Sequence, residues 1–75
     1  MKELDIVVLL EDLPEHSLEA GDVGTVVHVY KDSAAVEVEF ATGTGDTVGV
    51  VALSTRKIRL MQEEEILHAR RIKVA

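Results

Sequence analysis

The sequence predicts a mainly β domain. Five short antiparallel strands should close into a small barrel, followed by one short C-terminal α-helix. Three observations predict this. The apolar runs are short and valine-rich, with 12 valines in 75 residues, and valine fits a pleated surface. Turn signals with Gly, Asp and Ser separate the runs. A helical apolar period enters only after Met61. At this length there is room for one domain, which divides into a barrel over residues 1–61 and a helix with its tail over residues 62–75. Apolar residues make up 47% of the chain, yet only one Phe and one Tyr are present, so the core must be aliphatic. So small a core supplies little margin, and there is no cysteine to add a disulfide, which leaves association as the remaining support.

The first run, Ile6-Val7-Val8-Leu9-Leu10, is too short for an independent helix and reads as a strand that is apolar on both faces. A long polar connection from Glu11 to Asp22 comes next and holds the only proline. Leu13 and Leu18 should tuck it onto the core, because an unanchored loop of that length is unusual in a small domain. Gly21-Asp22-Val23-Gly24 leads into a second strand from Val23 to Tyr30. Lys31-Asp32-Ser33-Ala34 is a tight turn, and the third strand runs from Ala35 to Phe40. There Val36, Val38 and Phe40 alternate with Glu37 and Glu39, so one face is buried and the other meets water. Thr42-Gly43-Thr44-Gly45-Asp46 is a turn whose two glycines can take positive φ. The fourth strand spans Thr47 to Leu53, where Gly49 suggests a bulge or a close backbone approach. Ser54 to Lys57 fits one helical turn before a brief fifth strand, Ile58-Arg59-Leu60.

After Met61 the period changes. Over residues 62–72, Ile66, Ala69 and Ile72 fall three apart on one helical stripe. Glutamates occupy the first turn and arginines the last, as a helix dipole favours. A helix of that length is marginal alone, so it should dock on the barrel or on a second subunit.

Charge narrows the partners. Residues 1–30 hold seven acids and one base, residues 31–55 four acids and one base, and residues 56–75 six bases and three acids, for −6 in all. An acidic body repels phosphate and disfavours nucleic acid. No apolar run reaches the ~20 residues of a membrane helix, and Met1-Lys2-Glu3-Leu4-Asp5 does not open like a signal peptide. The expected setting is the cytoplasm.

Ala20-Gly21-Asp22-Val23-Gly24-Thr25-Val26-Val27, followed by the acidic strand ending at Phe40, resembles the opening of SH3-like β-barrels, including KOW modules and the nitrile hydratase β-subunit barrel. A longer string resembles a family of small bacterial proteins, domain of unknown function 4926. It comprises Asp5 to Glu15, Gly21 to Val27 and Val36 to Phe40, and the ending Glu65-Ile66-Leu67-His68-Ala69-Arg70 looks like the family's own. The resemblance implies a small SH3-like barrel and carries over no catalytic residue. Ile6 departs from it, since a polar residue such as Thr is expected there. That departure suggests a covered outer face on the first strand.

Residues with chemistry to offer are few. Glu11, Asp12, Glu15 and His16 cluster in the loop, but their spacing matches no cation loop, and a solvated acidic loop is the plainer reading. His28 sits between Val26 and Tyr30 and reads as half-buried at a barrel edge or an interface, because no nucleophile motif accompanies it. Glu37 and Glu39 could be paired catalytic carboxylates, yet acids at i and i+2 usually keep a strand face solvated. Gly43-Thr44-Gly45 lacks the Lys and following helix of a phosphate loop. No catalytic residue, metal ligand or cofactor is expected, and the chain is read as a non-enzyme.

The expected function is therefore a non-catalytic protein-interaction module. It would pair with itself as a homodimer or homo-oligomer, or act as the small acidic, antitoxin- or inhibitor-like partner of a neighbouring-gene product. The interaction residues are Ile6, Val8 and Leu10 on the first strand, with Ile66, Ala69 and Ile72 on the helix. The alternative is a KOW-like nucleic-acid-binding module using Arg56, Lys57, Arg59, Arg70, Arg71 and Lys73, although that block lacks the stacking aromatics of single-strand binders.

Overall fold

The computed structural model describes residues 1–72. Five strands form one antiparallel sheet: β1 (Ile6–Leu9), β2 (Val23–Val29), β3 (Ala35–Ala41), β4 (Thr47–Ser54) and β5 (Ile58–Leu60). Their order across the sheet is β4-β3-β2-β1-β5. The expected strand number and direction hold, but the closed barrel does not. β4 and β5 are the two edges, and no ladder joins them.

The sheet is open yet strongly coiled, for a geometric reason. A single 3₁₀ turn, Thr55–Lys57, carries the chain from the end of β4 to the start of β5. In a flat sheet those edges would stand about 19 Å apart, at about 4.8 Å per strand. A three-residue link reaches about 15 Å at most, so the edges must curl towards each other. Two bulges add twist. The β2–β3 register slips between Val26 and His28, leaving Val27 as the extra residue. The β3–β4 register slips after Phe40, leaving Val48 extra beside Gly49. The Gly49 signal thus marks a bulge. A Cβ there would meet nothing, so no close approach is involved.

Inside the curl lies the aliphatic core. Val7, Leu9, Val26, Val36 and Val38 are the largest fully buried side chains, and Phe40 closes the end. The register of β3 is as the alternation predicts, with Val36, Val38 and Phe40 inward and Glu37 and Glu39 outward. Each such side chain contributes roughly 1.5–3 kcal/mol by leaving water. Leu13 and Leu18 pin the long loop to this core. They are buried and form an isolated bridge, with backbone bonds of 2.8 and 3.1 Å in the two directions. Pro14 opens the 3₁₀ turn Pro14–His16 between them.

The C-terminus also departs from the expected helix. Residues 62–72 form no helix: a turn at Glu63–Glu64 leads into irregular, non-helical chain. The amphipathic stripe is real as a pattern, but an eleven-residue helix has little intrinsic stability, and contacts elsewhere compete for the same residues. Glu65 gives its carboxylate to Arg59 and to the Gln62 N–H. Arg70 reaches Asp22, and Ile72 packs on the core. A regular helix would have to satisfy all three at fixed spacing.

Candidate functional site

The six residues expected to form one interaction surface do not come together. On the outer face of β1, Ile6 is 42% and Leu10 49% exposed, while Val8 between them is buried. Its ladder neighbours are Val23 and Arg59. Without a helix, the three-residue spacing of the tail places no common stripe. Ile66 is 91% exposed, Ala69 is exposed and Ile72 turns onto the core.

The outer face of β2–β4 is mixed. Because Val27 is an extra residue, His28 shares its face with Glu37 and not with buried Val26. His28 is exposed rather than half-buried, and its ring packs edge-on against Tyr30 at 4.9 Å between centroids. The Tyr30 hydroxyl donates to Glu37 Oε2 at 2.8 Å, and that bond raises the phenol above its ordinary pKa. Thr47 donates to Glu39 Oε2 at 2.6 Å. Both strand acids are thus engaged as acceptors, and the chemistry here is local tethering. Among the described residues no group of three or more His, Cys, Asp or Glu is placed to hold a metal.

β4 has a different character. From Thr47 to Ser54 it reads TVGVVALS, with no charged residue. It is an edge strand, and no backbone bond links it to any described segment except its ladder with β3. Val50, facing outward, is 50% exposed, and Ala52 is exposed beside it. Natural sheets usually blunt such an edge with charges, proline or extreme shortness. This edge carries no charge or proline and is eight residues long, and its one bulge, at Val48, lies near its start.

The acidic loop builds the most ordered polar cluster. Asp12 accepts the Ala20 N–H, and Asp22 accepts the Glu19 N–H. The loop is thereby folded so that Asp22, Glu19 and the Ser17 carbonyl converge on the Arg70 guanidinium. Nε and Nη2 donate to the two Asp22 oxygens at 2.8 and 2.6 Å, and Nη2 also donates to Ser17 O at 2.9 Å. Glu19 lies 3.6 Å from Nη1. Partial burial pushes the Asp22 carboxyl up, but the Arg70 hydrogen bonds, the Glu19 N–H and the Arg70 charge outweigh it, and the group sits below its usual range. The sequence holds one signal for this: an acid-rich loop and an arginine-rich tail in one short chain.

The same pairing disperses the expected basic patch. Arg59 forms a two-pronged bond with Glu65, Lys57 lies 3.3 Å from Glu11, and Arg70 is held as described. Arg56 and Arg71 are exposed, and Lys73 lies outside the described residues. Beside Arg70, the tail and the sheet enclose an open groove of about 600 Å³. Its floor includes Leu18, Val23, Phe40 and Val48, and Leu67, Ala69 and Ile72 form its far wall.

No helix among the described residues is long and apolar enough to cross a membrane. Residues 3–60 match the family model described as Domain of unknown function (DUF4926). No curated protein and no solved structure matches the chain.

Proposed function

The chain belongs to the DUF4926 family, and from that premise we propose that it is a non-catalytic protein-interaction module whose β4 edge pairs with a strand of another polypeptide, in the first instance a second copy. The observation that carries this reading is the uncharged, unpaired edge from Thr47 to Ser54. Strand addition at such an edge satisfies backbone donors and acceptors on both partners. A two-fold pairing of β4 with itself opposes no like charges, because Glu37 and Glu39 stand one strand further in. The outward Val50 and Ala52 would gain cross-strand contacts. No comparable observation favours nucleic acid, since three of the five described bases of that block already face carboxylates.

Light scattering on the full chain tests the reading. A dimer that becomes a monomer on Val50→Lys, with the melting temperature of the monomer retained, is the expected result. A wild-type chain that stays monomeric at every concentration, with β4 amides exchanging freely, overturns it.

A further inference from the structure

The C-terminal tail covers a surface that the family domain builds, and tail residues form one wall of the groove beside Arg70. Leu18, Asp22, Val23, Phe40 and Val48 all fall within the family match over residues 3–60, whereas Arg70 and Ile72 lie beyond it. The tail is held there by side chains. After Met61 N–H bonds to Ile6 O, the only backbone bond described within the tail is the local one from Glu65 to Gln62. Its seat is the Arg70 fork in the Asp22–Ser17–Glu19 cradle and, two residues on, Ile72 against the core. The cradle is formed by loop bonds that do not involve the tail, from Ala20 to Asp12 and from Glu19 to Asp22.

We infer that the surface beneath the tail, the Asp22–Ser17–Glu19 cradle with the apolar residues beside it, is a peptide-recognition surface for a polypeptide segment presenting an arginine with an aliphatic side chain two residues later, and that the chain's own tail occupies it as an intramolecular competitor. Charge complementarity sets the basic position, because a planar guanidinium matches a carboxylate two-pronged and a lysine does not. The apolar floor sets the aliphatic one. The inference does not depend on pairing at β4. A partner must displace the tail, so its apparent affinity is scaled by the fraction of time the tail is off this surface.

A fluorescent peptide of residues 65–75, titrated into the full chain and followed by anisotropy, tests this. Binding to Arg70→Ala, in which the tail is unfastened, should be about tenfold tighter or more than to wild type. Asp22→Asn should abolish it, as should alanine in place of the peptide's own arginine. Arg70→Lys, which keeps the charge but loses the fork, should fall between and serves if thermal melts show Arg70→Ala unfolded. With wild type alone, excess peptide should displace the tail and shift the tail's own Leu67 and Ile72 side-chain resonances. Equal binding by wild type and both Arg70 variants, binding that survives Asp22→Asn, or no binding to any of them would overturn the inference.

Discussion

Arg70 and Asp22, 48 residues apart in the chain, meet side-on, with Nε 2.8 Å from one carboxylate oxygen and Nη2 2.6 Å from the other. The Asp22 side chain is only 16% exposed, and its carbonyl accepts the Leu9 N–H at 2.8 Å. One residue therefore ties the tail, the long loop and the end of β1 together. Arg59 and Glu65 form a second two-pronged pair at the other end of the tail, here end-on through Nη1 and Nη2.

Acid should release this tail. The Arg59 hydrogen bonds, helped by the Gln62 N–H, lower the Glu65 carboxyl from 4.5 to about 2, and Asp22 also lies below its ordinary 3.8. A carboxyl depressed in the folded state stabilises it fully above the unfolded value and loses that contribution as pH falls through the folded one. Both clasps should hold above about pH 4.5 and open as the pH falls towards 2. The Arg70 and Arg59 guanidinium resonances report this directly. Side-chain signals that stay constant across that window would show that the pairs do not form.

Gly24→Ala should destabilise by about 1–3 kcal/mol, as overpacking in a filled core does. A Cβ at Gly24 would lie 2.5 Å from Val38 Cγ1, 2.9 Å from the Glu39 carbonyl and 3.0 Å from Phe40 Cε1. The backbone oxygen cannot retreat without breaking the ladder. At Gly43 a Cβ meets nothing within 4 Å, so Gly43→Ala should be neutral or slightly stabilising through the unfolded chain. Equal melting temperatures for the two variants would contradict the packing of β2 on β3.

Local alternation makes the β3 register legible, and apolar spacing with glycine punctuation makes the five strands legible. The features beyond reach depend on long-range competition. A bulge at Val27 leaves little trace in a run such as Val26-Val27-His28-Val29, so His28 takes partners that simple alternation does not predict. The tail's helical stripe is outvoted by Asp22, Arg59 and the core, none of them within four residues of the groups they capture. Closure of the barrel fails for a similar reason. Five strands permit it, but hydrogen bonding between β4 and β5 depends on their final angle and offset, which no local pattern encodes.

Val38→Asp should unfold the domain, because it places an unpaired carboxylate where the side chain is wholly buried. Glu37→Lys, one residue away on the outer face, loses the Tyr30 bond and should stay within about half a kcal/mol of wild type. Thermal melts compare them directly. If Glu37→Lys were the more damaging, the β3 register would be off by one residue.

The two isoleucines of the tail should respond differently to substitution. A shared helical stripe would make them equivalent, whereas the structure makes them opposites. Ile72 packs half-buried against the core, so Ile72→Ala should cost about 1 kcal/mol, roughly half of the contribution of a fully buried aliphatic side chain. Ile66 is 91% exposed, and Ile66→Ala should stay within about 0.5 kcal/mol of wild type, as surface changes usually do. Ile66→Glu should likewise leave both the melting temperature and the mass per particle unaltered, because pairing is assigned to β4 and not to this part of the tail. A dimer that dissociates on Ile66→Glu but tolerates Val50→Lys would move the association surface from the sheet edge to the tail.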